Sequence, residues 1–156
     1  MDFILWACRL MHLVSVVVWF GGLIFLNVVM LPVLQYEGQG RSKALVATLN
    51  RFRGFIWSSF WTALITGILL MLLSPRFLWF DYSTTWQKLL VVKQTAFLLT
   101  GFFSWQTAKV VDRLEESLNE PGDVFESWRL TYVKLIRRTI FLGILALLCS
   151  AGMAVA

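Results

Sequence analysis

The chain has one histidine, two cysteines and three prolines in 156 residues. A single histidine, His12, excludes a haem held between two imidazoles of the same chain. The cysteines, Cys8 and Cys149, both lie inside apolar runs, and their spacing gives no disulfide framework. There is no CxxC pair, no CxxCH attachment site and no glycine-rich phosphate loop. Charge is also scarce, at 15% of residues, with nine acidic against fourteen basic side chains. What fills the chain instead is apolar: 58% of residues, with a mean hydropathy of +0.72. An integral membrane protein is the class that fits. The net charge of +5 is not a nucleic-acid patch, because the basic residues flank the apolar runs.

Four runs reach the roughly 20 apolar residues that cross a bilayer. They lie at about 3–34, 54–74, 86–108 and 135–156. Asp2 leads the first, which is too long for the apolar core of a signal peptide and reads as a retained membrane helix. Backbone polar groups must be satisfied within each span, so the runs are helices. Residues 42–53 and 109–134 keep helical spacing and prolong the helices outside the lipid. "QYEGQGR" (35–41), "RFLWFDYST" (76–84) and "NEPGD" (119–123) break it. Thr84 with Gln87, and Asp123 with Glu126, have capping-box spacing. The expectation is all-α: a four-transmembrane-helix antiparallel up-down bundle forming one membrane domain, 1–156.

Ten Lys and Arg fall on the side of loops 35–53 and 109–138, and four fall on the other side. The first side is therefore cytoplasmic, and both termini are periplasmic in a bacterial inner membrane. This topology brings distant residues to one layer. His12, Thr66, Gly67, Lys93, Cys149 and Met153 all lie roughly 5–14 Å below the outer surface at 1.5 Å per residue. His12, Ser15, Trp19 and Gly22 share one helical face. Ser59, Thr62 and Thr66 form a polar stripe on the second helix. Lys93, Thr100 and Ser104 form one on the third.

Each feature has two readings. An intramembrane His12 is either a ligand or a hydrogen-bond strut between helices. Lys93 either points inward or snorkels to the surface, whereas Lys88 reads as a snorkeller. Cys8/His12 and Cys149/Met153 are both spaced by four, so soft sulfur and imidazole form a candidate Cu(I) set; they also suit plain core packing. Gly21, Gly22 and Gly67 either let helices approach closely or clear room for a flat cofactor beside His12.

"HLVSVVVWFGGLIFLNVVMLPVL" resembles the opening helix of the copper-resistance protein D (CopD) family and of the related HemJ-type membrane proteins. "LNRFRGFIWSSFWTALITGILLML", with Arg51-Phe52 before the span and Thr66-Gly67 within it, resembles their second segment. "WQKLLVVK" resembles the start of their third helix, and its final Lys is Lys93. The resemblance covers about residues 9–108. It implies a compact helical bundle, with periplasmic copper handling in one branch and haem b binding with protoporphyrinogen oxidation in the other. His12 and Lys93 match positions functional in the second branch. The expected function is a small membrane subunit that binds haem b through His12, with Lys93, Trp19, Gly22 and Gly67 around the cofactor. It serves a redox or accessory role beside other membrane subunits in a larger complex. The alternatives are copper held by His12, Cys8, Cys149 and Met153, a protoporphyrinogen oxidase, and a structural subunit without cofactor.

Overall fold

A computed structural model describes residues 2–32, 43–75, 77 and 83–155. Its elements are α1 (Asp2–Ile24), α2 (Lys43–Leu72), α3 (Thr85–Glu116) and α4 (Gly122–Val155). A π-helical turn, Phe25–Met30, continues α1, and a 3-10 turn, Ser117–Asn119, follows α3. Among the described residues there is no strand, so the chain is all-α. Three helical segments are long and apolar enough to cross a membrane: Phe3–Met30, Lys43–Leu72 and Gly122–Val155. These mark a membrane protein. α3 falls outside that class, because Lys88, Lys93, Gln94 and Gln106 dilute its hydropathy.

The helix ends follow from local chemistry. Thr84 caps α3 as its spacing with Gln87 predicts: its Oγ1 accepts the Gln87 N–H at 3.3 Å, satisfying one of the free donors of the first turn. The second expected cap is corrected. α4 already begins at Gly122, so Asp123 sits within its first turn and Glu126 binds Arg129. Loop 35–41 and most of 76–84, with Trp79 and Tyr82, lie outside the described residues. The predicted helical extensions are present: α2 starts ten residues or so before its apolar run, and α3 and α4 form a long hairpin around 117–121.

The helices associate in two pairs. α1 packs along α2, and α3 along α4; contacts between the pairs are sparser. Both pairs are antiparallel. His12 meets Ala63 and Thr66 while Phe25 stacks on Phe52. Likewise, Leu89 lies where a side chain on Gly152 would go, and Arg138 lies over Phe103. Two aromatic insertions bridge the pairs. The Phe60 ring of α2 would be 2.6 Å from a Cβ on Gly101 of α3, and the Phe20 ring of α1 would be 2.5 Å from one on Gly143 of α4. Only a missing side chain permits either approach.

The core is concentrated at one end. Leu26, Leu45, Leu49, Leu114, Tyr132 and Ile136 are buried in one cluster there, built where α1 and α3 end and α2 and α4 begin. Arg53–Asp112 at 2.6 Å and Asn50–Glu115 at 2.9 Å fasten α2 to α3 on its surface. Outward faces stay apolar: Val14, Val17, Ile65, Leu98, Phe141 and Leu148 are all exposed, as lipid contact requires.

Candidate functional site

Toward the N-terminal end of α1 the two pairs separate and enclose a cavity of about 620 Å³. All four helices line it, with Trp19, Phe97 and Gly143 deepest along their helices and Leu5, Trp86 and Met153 nearest the other end. The face of α1 that His12, Ser15 and Trp19 share points inward. Ser15 and Trp19 are buried, whereas Val14, Val17 and Val18 of the same turns are exposed. A volume of this size with mostly apolar walls and a few polar groups is typical of a small-molecule or cofactor site.

His12 is held firmly. Its Nδ1 lies 3.0 Å from the Ala63 carbonyl and 3.0 Å from Thr66 Oγ1. The Thr66 hydroxyl proton is already committed, since Oγ1 donates to the Thr62 carbonyl at 2.6 Å. A carbonyl can only accept, and the Thr66 hydroxyl has no further proton to give. Nδ1 must therefore carry the hydrogen, and in the neutral ring Nε2 is left with a bare lone pair. Among the described residues Nε2 has no hydrogen-bond partner, and His12 lines the cavity. So His12 is a strut through one nitrogen and is available as a ligand through the other.

Gly67 has a different task from the one its composition suggested. A Cβ there would lie 3.1 Å from His12 Cε1 and 3.6 Å from Nδ1. The space that Gly67 clears is occupied by the imidazole itself, which lies close against α2. Gly22 lies outside the cavity lining, and a Cβ on it or on Gly21 meets nothing within 4 Å.

Lys93 lines the cavity from α3 and is half-buried, so it turns inward, whereas Lys88 is exposed. Trp19 is 3% exposed, packed edge-on against Phe60 and Phe97, and its Nε1 has no partner among the described residues. Met153 lines the cavity too. The two cysteines do not. Cys149 is buried beside it, and the Cys8 thiol is directed at the Thr66 carbonyl, 3.7 Å away. Among the described residues, no three His, Cys, Asp or Glu groups converge as a metal set.

Arg9, Phe97, Gly143 and Ser150 also line the cavity and carried no role in the sequence reading. For α4 a signal existed. Gly143, Ala146, Ser150 and Met153 recur at spacings of three and four, which puts small residues on one face. Among the described residues the charged part of the lining is one-signed: Arg9 and Lys93 belong to it, and no described Asp or Glu does. No family model matches the chain, and no curated protein or solved structure is significantly similar to it.

Proposed function

We propose that the chain is a small membrane subunit that carries haem b in this cavity through His12, in a redox or accessory role beside other membrane subunits. One observation carries the reading: the Nδ1–H of His12 is fixed by Ala63 and Thr66, so Nε2 is a bare donor atom beside a large apolar cavity. Metal-binding histidines are held in this way, with the second ring nitrogen bonded to a carbonyl. The residues present fit the group. His12 would hold the iron, the walls of Val16, Trp19, Leu90 and Phe97 would take a flat apolar body, and Lys93 is a cation beside them. A bound haem supplies one-electron chemistry, tuned by its ligand and surroundings. The chain's own residues position it and keep water away. The resemblance of residues 9–108 to the HemJ-type proteins supports the same reading.

The membrane arrangement belongs to the proposal. α3 is the fourth span, the bundle runs up and down, and the ends of the chain face the periplasm of a bacterial inner membrane. Support comes from the antiparallel packing of α3 on the apolar α4 and from the ten-to-four distribution of Lys and Arg. Thiol labelling tests it in a Cys8→Ala/Cys149→Ala background. A membrane-impermeant reagent should modify Ser83→Cys in intact spheroplasts and Asp123→Cys only after permeabilisation; the reverse pattern would sink the topology.

For the cofactor, the full chain purified in mild detergent from haem-replete cells should show a Soret band. His12→Ala should remove it while the protein stays monodisperse. A colourless wild-type protein that takes up no added hemin overturns the haem reading. Stoichiometric copper in that colourless protein would favour the copper alternative.

A further inference from the structure

A cation inside an apolar, membrane-embedded cavity is costly unless an anion is there to meet it. Lys93 on α3 is such a cation, half-buried in the cavity wall, and Arg9, one turn from His12 on α1 and itself exposed, adds a second positive charge to the lining. Among the described residues neither has a hydrogen-bond or ion-pair partner. The ion pairs there join Arg53, Arg113 and Arg129 to their carboxylates instead. Besides His12, the other polar side chains of the described lining include Ser74, Gln94 and Ser150, which carry no charge; Gln94 Nε2 points at Met71 Sδ, 3.7 Å away, and Ser150 Oγ donates to the Ala146 carbonyl at 3.0 Å. Among the described residues the wall toward Val16, Trp19 and Phe97 carries no charge. The cavity is therefore polarised along its length, with an aromatic, uncharged interior at one end and cations in the half nearer the N-terminus of α1.

We infer that Arg9 and Lys93 form the carboxylate-binding end of the cavity, which takes an amphipathic acid with its apolar body against Trp19 and Phe97. The inference rests on the cofactor reading for the identity of that acid, where the carboxylates are the haem propionates. Its physical content is the charge pairing, which any long or flat apolar acid tests. Arg9 supplies a fork of donors suited to a carboxylate, and Lys93 supplies a point charge.

The test compares two acids with their neutral esters on the full chain in a non-ionic detergent: hemin against hemin dimethyl ester, and cis-parinaric acid against its methyl ester. In each pair the acid should bind the wild-type protein roughly tenfold or more tightly than the ester, the scale of a charge-assisted hydrogen bond in a shielded site. Arg9→Gln and Lys93→Gln should each shrink that preference, and the double variant should abolish it, with ester affinity unchanged. Lys93→Arg should keep it, which separates lost charge from lost folding. Equal affinity of acid and ester for the wild-type protein overturns the inference, and so do variants that weaken both forms alike. The outcomes separate the two readings. If hemin fails to bind but parinaric acid shows the charge preference, the haem assignment falls and the carboxylate site stands. If hemin and its dimethyl ester bind equally well, the haem assignment stands and the carboxylate site falls.

Discussion

The two ends of the bundle use the same four helices to opposite effect. At one end, Leu45, Leu49, Leu114 and Ile136 meet with almost no exposed surface. At the other, the four helices line a cavity, with Ala63, Ala146 and Ser150 among its walls. Interlocked aliphatic side chains close one end, whereas at the other the two helix pairs stand apart and leave a cavity beside a fixed histidine. Stability is concentrated where the helices continue beyond their apolar runs, and binding capacity where the pairs are apart. A site can stay open in so small a protein because the opposite end holds the pairs together.

The sharpest break of this comparison is truncation at the packed end. Leu114→Ala or Ile136→Ala should destabilise by about 2–5 kcal/mol, the range for fully buried aliphatic residues. Leu70→Ala, on the cavity wall, should cost far less. Thermal or denaturant unfolding in a fixed detergent measures both, and equal losses would erase the distinction between the ends. Next come the two bridges between pairs. Gly101→Ala and Gly143→Ala each force a Phe ring to move, and overpacking of this kind costs about 1–3 kcal/mol. Ala146→Leu probes the hollow end alone. It should weaken hemin uptake by narrowing the cavity while leaving the unfolding midpoint near that of the wild type.

Two surface changes should be smaller still. Arg53→Ala removes an ion pair that is partly exposed, worth about 0.2–1 kcal/mol, and the effect should fade in high salt. Arg129 holds the Glu126 carboxyl below the usual carboxylate range through its hydrogen bonds. That contribution is present above the ordinary carboxylate range and is lost as pH falls through the lowered value. A pH series on Glu126→Gln should therefore differ from wild type near neutrality and converge with it in acid.

Much of the framework was legible from periodicity and composition. Apolar runs of membrane length, the Thr84 cap, the helical extension before residue 54 and the polar hairpin after 108 are local properties of the chain. So was the shared face of His12, Ser15 and Trp19, since a helix sets which residues lie on one side. The glycines were not legible in the same way. Gly22 and Gly67 look alike in sequence, yet one touches nothing and the other seats an imidazole. Gly101 and Gly143 gave no warning, because their partners, Phe60 and Phe20, lie 41 and 123 residues away. Asp123 and Glu126 had cap spacing, but Arg129 one turn on offered Glu126 a charged partner.

The sequence by itself determined an all-α membrane protein with one titratable imidazole on the same face of its first helix as Ser15 and Trp19. Hydropathy and helical period are properties of neighbours in the chain, and they needed no fold to act. The tertiary structure decided what that imidazole does. Only the packing of α1 on α2 brings the Ala63 carbonyl and Thr66 to Nδ1, and only the parting of the two pairs leaves Nε2 beside a cavity with Arg9 and Lys93 in its walls. A hydrogen bond between residues 51 or 54 positions apart is a statement about distance in space, which no local pattern encodes.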